Sequence, residues 1–507
     1  MNETKSLNNN KRIAKNTFVL YIRMLLIMLV TLYTSRVILK TLGEEDFGIY
    51  NIVGGIIILF SFLNGAMVVA TQRFLSYEIG RGDEKSANKY FSTSLLIHVG
   101  LAVLFFLVME TIGYYLFMQY LNIPIERVEA AKWVFHFSTL STCISVLRTP
   151  YSAVIIANEQ MTFYAYISIL EVIGKLIIVY LLTLFIFDKL ILYSFLMFVV
   201  LCLISLIYFI YCKMKYSVCS FSFCREKERY IQLSSFSGWS LLGSMANVGA
   251  NQGINILLNI FFGVVLNTAM GIANQVNAAI YNFVSSFQTA FNPQIIKSYA
   301  SKDYQYFHSL LLNTSKYSFL LIWILSFPVL ICCPEILKIW LGNIPEHTVD
   351  FTRLIIIFSI LDAIQGPLWA SVQATGKIRT YQILMSVLIL ANLPISYCFL
   401  LMEFSPSIVL IVRIILNVII LIVRVIYLSH LFDFPIKTYF TDVLCKCMLL
   451  IFLSFPISLI YYTYTYGWMR LFGTCFISVI CTGVLAYLFV LSKKERVYIK
   501  NIVHRVI

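Results

Sequence analysis

Long apolar runs separated by short polar breaks fill this chain from residue 17 to residue 491. A hydrocarbon layer about 30 Å thick requires roughly 20 apolar residues for each helical span. Helices suit this environment because they pair their backbone polar groups internally. The pattern therefore predicts an all-α polytopic membrane protein, with about fourteen transmembrane helices at 17–40, 47–70, 90–113, 131–150, 164–187, 190–212, 232–262, 271–292, 313–334, 351–372, 381–402, 407–430, 441–463 and 469–491.

One stretch of the sequence occurs twice. PYSAVIIANEQMTFY at 150–164 and PLWASVQATGKIRTY at 367–381 both have Pro first, Ala eighth and Tyr last. Polar segments predicted as loops, 71–89 and 293–310, also follow the second and the eighth span. We interpret spans 1–6 and 7–12 as two copies of one unit, parallel because six spans return the chain to the same side. Two such halves with a cleft between them are typical of transporters.

The repeat divides the chain into three predicted parts. Residues 1–212 form an N-lobe with spans 1–6, and residues 213–430 form a C-lobe with spans 7–12. Residues 431–507 hold spans 13 and 14 and a cytoplasmic tail, which break the six-span pattern.

Composition supports the membrane prediction and adds an orientation. Hydrophobic residues make up 60% of the 507 residues, charged residues only 12%, and the net charge is +14. Lys and Arg concentrate in the segments on the side of both termini, which predicts that both termini are cytoplasmic. Because this bias explains the positive charge and no compact basic domain is present, nucleic-acid binding is not expected.

Polar side chains recur every three or four residues in predicted spans 7 and 8, and more weakly in span 2, so they share one helix face. Amides facing lipid would be costly. They must therefore line either helix contacts, where small polar residues pack well, or a hydrated cavity, which we favour. The predicted cavity residues are Asn51, Ser244, Asn247, Asn251, Asn255, Asn274, Asn277 and Gln288.

Cations outnumber acids inside the predicted spans. A buried unpaired cation is costly and tends to mark a transport pathway. Guanidinium groups match phosphate oxygens in two-point fashion, and amides can bond sugar hydroxyls, so we expect an anionic, hydroxyl-rich cargo such as a diphosphate-linked oligosaccharide. Lys175 could equally be the helix partner of Glu171, and Arg36 could extend outward to the interface. The candidate diphosphate-binding cations are Arg23, Arg36, Arg413, Arg424 and Lys175.

The sequence offers little for catalysis. The twelve Cys have neither metal-site nor disulfide-framework spacing, and Gly376-Lys377 is followed by Ile378 rather than by the hydroxyl of a nucleotide-binding loop. The exterior loops are too short for a catalytic domain, and His98 and His136 are interpreted as core histidines. We therefore expect no enzyme, no cofactor and no metal.

Two further stretches suggest a family. SRVILKTLGEEDFGIYNIV at 35–53 and QRFLSYEIGRGDEKSANKYF at 72–91, with the repeated segments and the span count, resemble the polysaccharide repeat-unit flippases of the multidrug/oligosaccharidyl-lipid/polysaccharide exporter superfamily. The resemblance implies a V-shaped bundle that works by alternating access, with spans 1, 2, 7 and 8 lining its cavity. Arg23 and Arg36 look comparable to the cavity arginines of such proteins.

The resemblance also implies a cargo and a cellular location. The cargo would be undecaprenyl-diphosphate-linked oligosaccharide, moved from the cytoplasmic to the periplasmic leaflet of a bacterial inner membrane for O-antigen, capsule or other surface polysaccharide. Other assembly proteins are conceivable partners. Cation coupling occurs among relatives, and Asp362 and Glu171 are the candidate coupling residues here.

Two other functions remain open at this point. A multidrug exporter of the same superfamily would require acidic residues in its cavity. Drug sensitivity of a deletion strain would reveal such a function. A membrane polysaccharide polymerase or ligase would need a substantial exterior loop with catalytic groups. A polymerase mutant would still display single repeat units, whereas a flippase mutant would not.

Overall fold

The computed structural model describes residues 16–30, 33–34, 37–38, 41–43, 46, 49–50, 61–115, 117, 124–184, 187–223, 226–262, 264–492 and 495–496. Every regular element within these residues is helical. The first half of the chain contains α1 Asn16–Val30, α2 Ser61–Arg81, α3 Glu84–Val108, α4 Val128–Ala157, α5 Met161–Leu184 and α6 Lys189–Lys215. The second half contains α7 Lys227–Phe262, α8 Val264–Ala300, α9 Tyr304–Ile331, α10 Cys333–Leu341, α11 Thr348–Thr375, α12 Arg379–Leu390, α13 Asn392–Leu401, α14 Ile408–Phe432, α15 Ile436–Tyr439, α16 Lys446–Tyr464 and α17 Gly467–Leu485.

The helices confirm the predicted polytopic membrane fold. In the described part of the chain, ten helical segments are long and apolar enough to cross a membrane. Large apolar side chains point outward, as in Phe452, which is 77% exposed, and Phe472, which is 65% exposed. Such outward apolar surface suits lipid as solvent. The helices α7 and α8 are not among the ten, because their serine and asparagine stripes lower the mean hydropathy.

The predicted loops 71–89 and 293–310 are wrong. The helix α2 continues to Arg81 and α3 begins at Glu84, so only a tight turn separates them. Asp83 caps α3 by accepting a 2.9 Å hydrogen bond from the Ser86 amide. Charged residues end a hydropathy run but do not end a helix, so both helices extend beyond their apolar parts.

The turn between α8 and α9 has the same construction. A residue with positive φ, Lys302 at 58°, comes before Asp303, whose carboxylate accepts a 3.1 Å bond from the Tyr306 amide. In the first turn the corresponding pair is Gly82, at φ 77°, and Asp83. The two copies of the repeat therefore share a turn geometry that their differing sequences only partly indicate.

The repeated Pro–Ala–Tyr segments also adopt one conformation. Pro150 lies inside α4 and Pro367 inside α11. After each helix a residue with positive φ follows, Glu159 at 59° and Gly376 at 77°, and the next helix then begins. Each segment is thus a proline-containing helix end joined by a left-handed turn to the following helix.

Two other boundaries differ from the prediction. The predicted span 381–402 consists of α12 and α13, which meet at Ala391, with Pro394 in the first turn of α13. The segment after predicted span 9 contains the short helix α10, whose Pro334 stands in its first turn. Taken together, α12 and α13 are long and apolar enough to form one membrane span, Arg379–Leu401.

The described helices group into two compact units. The N-terminal unit comprises residues up to 244 together with 296–302, and the C-terminal unit comprises 245–295 together with 303–507. Both α7 and α8 contribute to each unit. The core of the N-terminal unit includes the buried Leu75, Phe91 and Ala153, and that of the C-terminal unit includes Ile254, Met270 and Phe351.

The two C-terminal helices pack against α9. The Trp323 indole donates a 3.3 Å hydrogen bond to Ser454 on α16. At one end of this contact, Lys316 lies 2.8 Å from the Glu495 carboxylate. Beyond the other end of α9, the Tyr462 hydroxyl donates a 2.6 Å bond to Glu335 on α10. The C-terminal segment of predicted spans 13 and 14 is therefore attached to both α9 and α10 rather than loosely appended.

The close approach of α2 to the end of α8 gives a prediction for stability. A Cβ atom at Gly80 would lie 2.8 Å from the Lys297 Cα, which is backbone and cannot move aside. We expect Gly80→Ala to lower the free energy of unfolding by about 1–3 kcal/mol, the usual cost of overpacking. Thermal unfolding of the purified protein measures this. The matched control is Gly100→Ala, because Gly100 has open space around it, and equal stability of both variants would contradict the prediction.

Candidate functional site

A cluster of charges lies inside the N-terminal unit, where α4 and α5 meet. The Glu171 carboxylate is 2.9 Å from the Lys175 ammonium and 3.7 Å from the Arg148 guanidinium. Arg23 on α1 also interacts with it electrostatically. Two cations therefore pair with one carboxylate and a third, Arg23, acts on it from further away. We call these residues, Arg23, Arg148, Glu171 and Lys175, the cation cluster, and its net charge is positive.

Two tyrosines hold the arginines of the cation cluster. The Arg23 guanidinium carbon lies 4.6 Å from the centre of the Tyr164 ring, and that of Arg148 lies 5.4 Å from the Tyr208 ring. Tyr164 is the last residue of the first repeated segment. Cation–π contacts of this kind orient a guanidinium without using its N–H donors. The Arg23 Nε is buried and has no hydrogen-bond partner among the described residues.

The chemistry of the cation cluster follows from this arrangement. Lys175 and Arg148 share the negative charge of Glu171, while Arg23 retains an unused buried donor. A buried donor without a partner costs free energy until an acceptor arrives. The cluster can therefore accept an anion that offers several oxygens, and a phosphate group offers them in the geometry that a guanidinium fork matches.

A second polar cluster lies in the C-terminal unit. The Tyr281 hydroxyl on α8 donates a 2.7 Å hydrogen bond to Asp362 on α11. Arg413 interacts electrostatically with Asp362 and sits 3.9 Å over the Phe358 ring. Arg424 lies 5.8 Å from the ring centre of Tyr381, the last residue of the second repeated segment. In each unit, the repeated tyrosine thus lies beside an arginine.

Amides complete this second cluster. The Arg424 guanidinium donates a 3.1 Å bond to the Gln365 carbonyl, and the Gln365 side chain donates to the Asn417 side chain. The Gln288 amide donates a 3.3 Å bond to the Ala363 carbonyl. Gly366 makes this possible, because a Cβ there would lie 2.1 Å from the Gln288 nitrogen. Gln288, predicted to line a cavity, thus bonds to the backbone of α11.

The asparagine stripes of α7 and α8 are mostly not buried between helices. Asn247, Asn251 and Asn274 are exposed, and Asn255 and Asn277 are half-buried. Asn251 donates a 2.9 Å bond to the carbonyl one turn earlier. Helix packing alone would bury these amides, and hydrocarbon would leave them unsatisfied. Their exposure is what a hydrated or ligand-binding surface requires.

The remaining predicted residues fall into two groups. Ser244 is half-buried and donates a 3.1 Å bond to the Ser240 carbonyl of its own helix, so this hydroxyl is satisfied within α7. Arg36 and Asn51 lie outside the described residues.

Two positions that the sequence did not single out as site residues belong to charge networks. Arg148 stood at the end of predicted span 4, so it counted as a loop cation, but α4 continues to Ala157 and places it beside Glu171. Arg127 binds Asp46, and it also donates a 2.7 Å bond to Asp188. Its partners are far apart in sequence, so no local pattern could have paired them.

The linker before α7 is bound to the start of α3, at the predicted cytoplasmic side. Asn88 donates a 2.9 Å bond to the Val218 carbonyl, and Arg229 donates one of 2.9 Å to Ser86. Hydrogen bonds from Lys89 and Arg229 lower the pKa of the Glu226 carboxyl to about 2. The described residues on both sides of this connection between predicted spans 6 and 7 are thus bound to α3.

Comparison with solved structures identifies the fold. A multidrug resistance MATE family transporter of the MOP superfamily, in an outward-facing conformation, superposes with a TM-score of 0.69 at 16% identity, covering 85% of this chain and 96% of that one. A MATE structure in the straight conformation superposes with a TM-score of 0.70 at 17% identity, covering 85% of this chain and 97% of that one. A third structure is a MOP superfamily transporter from Pyrococcus furiosus, whose binding pocket is described as reversed in polarity. It superposes with a TM-score of 0.67 at 16% identity, covering 85% of this chain and 96% of that one.

No protein-family model matches the sequence, and no curated protein matches it. At identities this low, the structural similarity establishes the fold alone. The chain is therefore a multi-pass membrane protein with the fold of MOP superfamily transporters, all of its described regular structure being helical.

Proposed function

We propose that this protein is a secondary transporter that moves lipid-linked oligosaccharide repeat units across a bacterial inner membrane, from the cytoplasmic to the periplasmic leaflet. The cargo would carry a diphosphate, as in undecaprenyl-diphosphate-linked oligosaccharide. The proposal extends the resemblance of the 35–53 and 72–91 segments, and it is compatible with the transporter fold.

The observation that carries the proposal is the cation cluster of the N-terminal unit. Arg148 and Lys175 pair with one carboxylate, Glu171, and Arg23 acts on it electrostatically while keeping a buried unpaired donor. Holding this excess of positive charge within the membrane is costly. A diphosphate would offset that cost by supplying the missing negative charge and acceptors.

The exposed asparagine amides of α7 and α8 suit the glycan part of the same cargo. Exposed Asn247, Asn251 and Asn274 offer both donors and acceptors. Sugar hydroxyls, which also donate and accept, match them better than a purely apolar or purely cationic molecule does. In this proposal, the cation cluster holds the diphosphate and the stripes of α7 and α8 contact the glycan. Arg413 and Arg424 would supply further positive charge in the C-terminal unit.

Multidrug export is the second candidate, because MATE family transporters share the fold. A cationic drug would require an acid free to pair with it, yet Glu171 is engaged by two cations and Asp362 by Tyr281. The MOP transporter from Pyrococcus furiosus, whose binding pocket is described as reversed in polarity, also has this fold. A polymerase or ligase is disfavoured because the exterior segments offer no room for a catalytic domain.

The experiment that tests the function locates the lipid-linked oligosaccharide after deletion of the gene. We expect it to accumulate where a periplasmic lectin or glycosidase cannot reach it, and restoring the gene should reverse this. Accumulation accessible from the periplasm would contradict the proposal and revive the polymerase or ligase interpretation. Drug hypersensitivity without accumulation would instead favour multidrug export.

A further inference from the structure

Glu171 supplies the carboxylate of the cation cluster, and its two oxygens have different partners. The Oε1 atom accepts a 2.9 Å hydrogen bond from the Lys175 ammonium, whereas the Oε2 atom lies 3.7 Å from the Arg148 Nη1. The second distance is longer than a hydrogen bond. Arg148 is therefore paired with Glu171 by charge, and its Nη1 does not donate to the carboxylate.

The side chains of the cluster on α4 and α5 are open to a ligand. The exposed fraction of the side chain is 25% for Glu171, 20% for Arg148 and 39% for Lys175. All three residues lie in segments that are long and apolar enough to span a membrane. These groups can thus contact a ligand and exchange partners by side-chain rotation, without unfolding of a helix.

The charges of the cluster do not balance. Three cations and one carboxylate leave two positive charges. A diphosphate that joins a lipid to a sugar has an ionised oxygen on each phosphorus, so it would neutralise both. The phosphodiester of an ordinary membrane lipid has a single ionised phosphate, which would only replace the charge that Glu171 already supplies.

The second copy of the repeat shows what these positions hold where no charge is needed. The repeated segments begin at 150 and 367, an offset of 217 residues. At this offset, the three cluster positions on α4 and α5 correspond to the uncharged Gln365, Leu388 and Asn392. Gln365 and Asn392 are buried. The second copy thus forms its helices without these charges, so stabilisation of α5 by a helix ion pair does not account for the cluster.

We propose that Glu171 is an exchangeable counter-ion, which occupies the cation cluster when no cargo is bound and which a diphosphate displaces from Arg148 and Lys175. This role rests on the proposed function, because the diphosphate belongs to its cargo. A singly charged anion gains little by replacing a carboxylate, whereas a diphosphate also supplies a second charge and an acceptor for the Arg23 Nε. Glu171 thereby excludes phosphodiester lipids, and its return to the cations promotes release of the cargo.

Two synthetic ligands that differ by one phosphate test the exchange. Citronellyl diphosphate-linked N-acetylglucosamine and citronellyl phosphate-linked N-acetylglucosamine have the same lipid chain and the same sugar. Isothermal titration calorimetry of the full chain, in a neutral detergent and a phosphate-free buffer, measures their binding. We expect the unchanged protein to bind the diphosphate ligand and not the monophosphate ligand.

The variant Glu171→Gln should bind the diphosphate ligand about tenfold more tightly, because no counter-ion has to be displaced. It should also bind the monophosphate ligand. The matched control is Glu110→Gln, since Glu110 lies in another membrane-spanning segment, is 24% exposed and pairs with His136 instead. This control should bind both ligands as the unchanged protein does. Equal or weaker binding of the diphosphate ligand by Glu171→Gln would overturn the proposal.

A double variant keeps the test valid if Glu171→Gln folds poorly. Combining Glu171→Gln with Lys175→Met removes an acid and a cation together, so the net charge of the cluster does not change. This protein should fold like the unchanged one and should bind the monophosphate ligand, because Arg148 no longer has a carboxylate partner. Failure of the folded double variant to bind that ligand would contradict the exchange.

Failure of the proposed function gives a different result. If the unchanged protein binds neither ligand, the cargo proposed above is wrong. Inorganic pyrophosphate then tests the cluster without a lipid or a sugar. Tighter binding of pyrophosphate by Glu171→Gln than by the unchanged protein and by Glu110→Gln would still establish the counter-ion role, and equal binding by all three would refute it.

Discussion

Replacing Arg23 with alanine should abolish oligosaccharide export at normal protein abundance. Arg23 contributes a buried, unpaired donor to the cation cluster beside Glu171. With the proposed cargo bound, Arg23 would donate to a diphosphate oxygen. Removing one partner of such a buried, hydrogen-bonded charge pair costs about 2–5 kcal/mol, and the lower figure already corresponds to a roughly 30-fold loss. Surface display of the glycan, with the protein quantified by immunoblot, measures the effect.

Conservative and control variants separate binding from folding. Arg23→Lys should retain part of the export, because it keeps the charge but loses the planar fork. Arg81→Ala serves as the matched arginine control, since Arg81 is 54% exposed and pairs with Glu78 only at 3.8 Å. It should export normally. Full export by Arg23→Ala would remove Arg23 from the mechanism.

Replacing Lys297 with methionine should strongly destabilise the protein. Its ammonium lies 2.6 Å from the Glu159 carboxylate, which is fully buried. Glu159 also accepts a 3.1 Å bond from Asn16 through its backbone carbonyl. Loss of one partner of a buried ion pair typically costs about 3–5 kcal/mol, because the remaining charge has lost its counter-charge. Thermal unfolding in detergent, followed by fluorescence, measures the loss.

The double variant distinguishes a lost ion pair from lost packing. Glu159→Gln combined with Lys297→Met removes both charges and should recover most of the stability. Lys85→Met is the matched control, since Lys85 is exposed at the start of α3, and it should unfold like the unchanged protein. If the double variant is as unstable as Lys297→Met alone, charge burial is not the cause.

Local sequence pattern determined the class of fold and most of the helices. Apolar runs identify membrane helices because lipid contact demands about 20 apolar residues in succession, and the repeat at 150–164 and 367–381 marked two helix ends that the structure builds alike. The pattern failed at the polar ends of the runs. Hydropathy falls at residue 71, but α2 continues to Arg81. A helix does not end where it leaves the apolar layer.

Periodicity also located the stripes but not what each member contacts. Asn247 and Gln288 obey the same spacing, yet one is exposed and the other bonds to the α11 backbone through a gap that Gly366 leaves open. The spacing of residues on one helix shows that they share a face. It does not show which other helix packs against that face.

The charge networks were decided by tertiary structure. Sequence alone found the pair Glu171 and Lys175, because residues four apart share a helix face. Arg148 joins them, His136 meets Glu110 and Lys297 meets Glu159 only after distant helices pack. The sequence thus determined which helices form and which residues carry charge, whereas packing decided which charges share one site, because the partners are close in space and far apart along the chain.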